Sequence, residues 1–215
     1  MKNFLLVISF CFVIIISANQ PYASVNVDFA DYVPLHVGNS WTLLDEFNRI
    51  YHHQVVGTEC LETIATYKYK NSSENQNYDN YTYENKALVV AGFDGTALHP
   101  PLILDGQDID NQYIHFVFSI VPQVATPAGV FNDVVKLTMY DKIRNQEFVS
   151  RKQYFAKGVG LVKDENWCAS CGGTYTFTAL LTSHVAAGPP GADLGTCFPP
   201  NADRVLAPIY LLLLK

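Results

Sequence analysis

The densest chemistry in the chain is Trp167-Cys168-Ala169-Ser170-Cys171, the spacing that a thiol-disulfide exchange centre uses. Such a centre needs a depressed thiol pKa, supplied largely by a helix N-terminus directly after the first cysteine. Here Gly172-Gly173 leads into Thr174-Tyr175-Thr176-Phe177, which alternates like a strand, so a structural disulfide is the better reading. No histidine follows Cys171, which excludes the covalent haem motif. Of the five cysteines, Cys11 lies in an N-terminal apolar run, and Cys60, Cys168, Cys171 and Cys197 remain as an even set expected to form two disulfides. Cys60 and Cys197 are isolated, so a four-cysteine zinc site lacks its second close pair. Three pairings are possible; the short Cys168 to Cys171 loop is the easiest to close and leaves Cys60 for Cys197.

The other reactive side chains are scattered. None of His36, His52, His53, His99, His115 and His184 stands at a metal-ligand spacing with a second ligand on one helix face. On a strand His52 and His53 point to opposite sides, so only one of them can join a given site. The run Asp105 to Asn111 is rich in oxygen ligands but lacks the glycine and closing glutamate of a helix-loop-helix calcium site. No Gly-x-Ser-x-Gly turn offers a serine nucleophile. No catalytic residue, metal or cofactor is therefore assigned, although a carboxylate pair stays open. Tyrosine is the unusual component, with thirteen in the chain and Tyr67, Tyr69, Tyr78, Tyr81 and Tyr83 in one stretch. Amphipathic rings suit recognition surfaces, while period-two spacing also lets them simply cover one sheet face. Tyr67, Tyr69, Tyr81 and Tyr83, with His115 from the mixed face of a later strand, are the candidate ligand-facing residues.

These residues ride on strands. From Tyr113 to Val121, Ile114, Phe116, Phe118 and Ile120 form one apolar face, and from Thr174 to Leu181, Tyr175, Phe177, Ala179 and Leu181 alternate with threonines. Shorter strands are expected at Trp41 to Phe47, Thr63 to Lys70, Tyr78 to Tyr83, Ala87 to Phe93, Val134 to Tyr140 and Glu147 to Ala156. Turn residues separate them at Asn71-Ser72-Ser73, Asp94-Gly95, Asp105-Gly106, Pro127-Ala128-Gly129 and Lys157-Gly158. The fold class is all-β, an antiparallel twisted sheet or partial barrel, with a core of Trp41, Ile114, Phe116, Phe118, Ile120, Phe131, Tyr175 and Phe177. Two similar halves are suggested by Thr66-Tyr67-Lys68-Tyr69 and Val134-Val135-Lys136-Leu137, about 68 residues apart, and by Pro34-Leu35 and Pro101-Leu102.

At the amino end, Lys2 precedes an apolar run from Phe4 to Ile16, too short to span a membrane and followed by small and polar residues. Residues 1–23 are read as a signal peptide, 24–186 as the β domain and 187–215 as a loosely held Pro/Gly-rich tail with an apolar end, Ile209 to Leu214. No membrane span is expected once the signal is cleaved, and the mature chain is expected in the periplasm, on the cell surface or secreted. A net charge of −6 disfavours a nucleic-acid partner.

Three blocks carry a resemblance: Tyr32-Val33-Pro34-Leu35-His36-Val37-Gly38-Asn39-Ser40-Trp41, Thr126-Pro127-Ala128-Gly129-Val130-Phe131, and Tyr154-Phe155-Ala156-Lys157-Gly158-Val159-Gly160-Leu161-Val162-Lys163. In this order they resemble a group of uncharacterised exported bacterial proteins, secreted or lipid-anchored, built of antiparallel strands. The resemblance implies fold and location and supplies no activity. The expected function is a non-catalytic binding protein for a small apolar or envelope-derived ligand. A structural or assembly component of the cell surface is the alternative, and a thiol-disulfide exchange protein the third class.

Overall fold

The computed structural model describes residues 24–71, 78–93, 95–144, 146–171 and 173–197. The expected signal peptide, Ser72, Ser73, Asp94, Gly172 and the apolar end Ile209 to Leu214 lie outside the described residues.

Asp28 starts a one-turn helix, α1 (Phe29–Tyr32), by accepting a hydrogen bond from the Ala30 amide at 3.1 Å. Strands follow as β1 (Ser40–Asp45), β2 (Ile50–Leu61), β3 (Ile64–Asn71), β4 (Tyr78–Glu84), β5 (Ala87–Phe93), β6 (Thr96–Leu104), β7 (Ile109–Asp110), β8 (Ile114–Thr126), β9 (Gly129–Ile143), β10 (Gln146–Ala156), β11 (Gly160–Cys168) and β12 (Thr174–Val185). They form one antiparallel sheet in the order β6-β5-β4-β3-β2-β1-β12-β11-β10-β9-β8-β7. The chain thus lays down a six-stranded meander from the middle to one edge, crosses to the other edge, and returns as a second six-stranded meander. The two segments set about 68 residues apart sit on β3 and β9, the third strand of each half. Pro101-Leu102, by contrast, lies within β6 rather than ahead of the second half.

Three long strands were hidden by their inner faces. β2 places His53 inward and β11 places Asp164 inward, so each breaks the apolar alternation that marks a strand. β6 carries Pro100 and Pro101, which a strand tolerates at a sheet edge, where β6 lies.

Of the expected core, Trp41 is 2% exposed and Phe118 is equally buried, while Ile114, Phe116, Phe131 and Phe177 are partly buried. Ile120 (45% exposed) and Tyr175 (48%) are not core residues. β7 covers β8 only opposite His115 and Phe116, so Ile120 lies beyond its shelter. β1 ends opposite Ala179, leaving Tyr175 past the end of its neighbour, where its hydroxyl donates to Glu46. Trp41 packs on Gly160, where an added Cβ would come within 2.5 Å of the indole. Gly160 also has φ +101°, so both space and backbone require glycine.

The segment before β1 straps the two halves together. Val25 N–H donates to the Gly106 carbonyl at 2.9 Å, Phe29 N–H to that of Lys86 at 2.9 Å, and Gly158 N–H to that of Asp31 at 2.6 Å. Phe29 meets Phe118 edge-to-face with centroids 5.7 Å apart. The described part of the tail is held rather than loose. Pro and Gly keep it out of the sheet, yet Asp193 accepts from the Val37 amide at 2.7 Å and the Tyr67 hydroxyl at 2.6 Å, and Gly191 N–H reaches the Leu35 carbonyl at 3.0 Å. Cys197 is bonded to Cys60, and Cys168 to Cys171.

Candidate binding cavity

Pleating sends alternate residues to the concave side of the sheet. On the first half these include His53 of β2, Tyr69 of β3, Asp79 and Tyr81 of β4, Leu88 and Val90 of β5, and Leu102 and Leu104 of β6. On the second half they include Phe116 of β8, Leu137 and Met139 of β9, and Arg151, Gln153 and Phe155 of β10. Register brings them level: Tyr69 faces Asp79, Leu102 faces Val90, Phe116 faces Met139, and Met139 faces Arg151. Together they enclose a cavity of about 310 Å³, with Phe29 and Val33 of the strap forming part of its wall.

One part of the wall is polar. Arg151 forks onto Asp164, with Nε to Oδ1 at 2.9 Å and Nη2 to Oδ2 at 2.6 Å. Burial works against the Arg151 charge, but the Asp164 carboxylate more than offsets it and holds the guanidinium pKa above its ordinary value. The side chain is 31% accessible and lines the cavity, so its open part faces that space. His53, only 2% exposed, also lines the cavity, and its Nδ1 has no hydrogen-bond partner. Burial lowers the His53 pKa from 6.5 to about 4, with Asp164 pulling weakly the other way, so the ring is neutral at pH 7. Tyr69 packs against His53 (centroids 5.7 Å apart) and edge-on to Tyr81 (5.5 Å). The Tyr81 hydroxyl donates to Asp79 at 3.0 Å. Burial pushes both phenols well above their usual pKa.

Of the tyrosines singled out in the sequence, the structure brings Tyr69 and Tyr81 together in this wall. Tyr67 is fully buried against the tail through Asp193, and Tyr83 clamps the strap by donating to the Val33 carbonyl and accepting from the Leu35 amide. Both hold chain segments that shape the cavity rather than line it. His115 lies apart, stacked on Tyr140 and 3.2 Å from Glu147. His53 and Arg151 were missed by sequence reasoning. The available signal was the His52-His53 pair, of which one ring had to face inward.

Two other chemical groupings can be placed. Asp110, His115 and Glu147 bring ligand atoms within 4.8 Å of one another. The Lys142 ammonium already bonds Asp110 and lies 3.6 Å from Glu147, so a cation entering there must displace it. Lys142 accordingly lowers the Asp110 pKa. The Cys168 to Cys171 bridge spans a three-residue 3-10 turn, Ala169–Cys171, which precedes β12. No helix follows Cys168 to stabilise a thiolate.

No family model matches the chain, and no curated protein does. Among solved structures it is similar to a provisionally assigned lipoprotein from Parabacteroides distasonis, at 14% identity over 71% of this chain and 97% of that one, with a TM-score of 0.34. It is also similar to a provisionally assigned exported protein with a YmcC-like fold from Bacteroides fragilis, at 12% identity over 72% and 99%, with a TM-score of 0.33. At such scores the fold class rests on the strand order itself. No helix among the described residues is long and apolar enough to cross a membrane.

Proposed function

We propose that the chain is an exported, non-catalytic binding protein that holds a small apolar or amphipathic molecule in the concavity of its sheet. The observation that carries this reading is the cavity of about 310 Å³, walled by phenylalanine, leucine, valine and methionine from both halves. Its volume falls at the small end of the range for small-molecule sites, roughly 300–1,000 Å³. Export is supported by the N-terminal apolar run and by two disulfides, which suit an oxidising compartment.

Titration with the apolar fluorophore N-phenyl-1-naphthylamine tests the proposal. The wild-type protein should give saturable enhancement, and Met139→Trp, whose larger ring enters the cavity, should weaken binding at least tenfold while far-ultraviolet circular dichroism stays unchanged. Absence of saturable enhancement in the folded wild-type protein overturns the reading.

A further inference from the structure

We infer that the cavity selects a single-chain amphiphile whose head is uncharged and both donates and accepts hydrogen bonds, in preference to a carboxylate of the same chain length. The inference rests on the binding reading above and adds the chemistry of the head.

The tail requirement follows from size. Leu88, Val90, Leu102, Leu104, Phe116 and Leu137 surround a space of about 310 Å³, which suits one acyl chain of moderate length and leaves no room for a second.

The head requirement follows from the charges on the polar side. Three ionisable groups of opposing or suppressed charge dominate it: Arg151, Asp79 and His53. The Arg151 charge is matched by the Asp164 fork, and His53 is held neutral by burial. No uncompensated cation lines the cavity among the described residues, and the Asp79 carboxyl adds acidic rather than basic character. A bound carboxylate would therefore stand beside two acidic side chains and one arginine already engaged by one of them.

Hydrogen bonding is nevertheless available in both senses. Asp164 takes Nε and Nη2 of Arg151, which leaves the Nη1 donors for a ligand oxygen. The His53 Nδ1, buried without a partner on the same wall, matches either a hydroxyl or an amide, because its tautomer follows the ligand. The Tyr69 ring, against His53, lines the cavity beside them. A buried polar atom without a partner is costly, and a ligand group that satisfies it recovers that cost.

Displacement of bound N-phenyl-1-naphthylamine by 1-decanoylglycerol and by decanoate at pH 7.5, each below its micelle concentration, tests the assignment. The glycerol ester should displace the probe at a concentration at least tenfold lower than decanoate. His53→Leu should keep probe affinity within about twofold, which reports an intact cavity, and should narrow the gap between ester and acid several-fold. Probe displacement by decanoate at equal or lower concentration, or an unchanged gap in folded His53→Leu, overturns the head-group assignment while leaving apolar binding intact. Failure of the probe to bind the wild type removes both readings.

Discussion

Replacing Cys197 with serine opens the covalent loop that joins the end of β2 to the tail. Cys60 and Cys197 are 137 residues apart, and Cys168 and Cys171 only three. In the chain-entropy description, closing the longer loop contributes about 5 kcal/mol at 25 °C, and closing the shorter about 2 kcal/mol. The tail retains Asp193 on Tyr67 and Val37, and Gly191 on Leu35, so its loss is not predicted to detach the tail outright. For a domain of this size a loss of about 5 kcal/mol lowers Tm by roughly 10–20 °C. Differential scanning calorimetry of Cys197→Ser should show that drop, with Cys168→Ser/Cys171→Ser losing less than half as much. The reasoning is refuted if the close-pair variant melts lower than Cys197→Ser, or if non-reducing peptide mapping links Cys60 to Cys168 or Cys171.

Asp164→Asn leaves the enclosed Arg151 charge unpaired and should cost about 3 kcal/mol in urea unfolding, whereas Arg151→Met/Asp164→Leu should recover most of it. The pKa of His53 is lowered from 6.5 to about 4 on folding, so the unfolded chain binds the proton first. Stability is then intact above pH 6.5 and falls by about 3 kcal/mol as pH drops from 6.5 to 4. In His53→Phe the same pH series should be flatter by that amount, and parallel curves would reject the assignment. The paired carboxylates Asp45 and Asp193, with lowered pKa values, lose their contribution below that window. Gly160→Ala forces a side chain onto the Trp41 indole at φ +101° and should cost about 2–3 kcal/mol by the same unfolding measurement.

The sheet was legible where one face is apolar and the other is not. β8 and β12 announced themselves by Ile114-Phe116-Phe118 and Phe177-Ala179-Leu181, and the turns at Pro127-Ala128 and Lys157-Gly158 fall between paired strands. β2, β6 and β11 did not, because the residues that break their patterns answer to tertiary circumstances. Asp164 is tolerated inward through Arg151 on the neighbouring strand, and Pro100 and Pro101 through an edge position. The candidate site was legible by half. Tyr69 and Tyr81 share a face through the pairing of β3 and β4, but Tyr67 and Tyr83 found partners in the tail and strap, which no local pattern encodes. Arg151 gives no local sign either, since its role comes from a partner thirteen residues away across a hairpin.

Methyl-resolved nuclear magnetic resonance with N-phenyl-1-naphthylamine tests the cavity most directly, because it reports where an apolar molecule sits. The methyl signals of Leu88, Val90, Leu102, Leu104, Leu137 and Met139 should shift together and saturate at one probe per chain. Shifts confined to the exposed methyls of Ile50, Val56, Ile64 and Ile103, with the cavity methyls unmoved, would contradict the account.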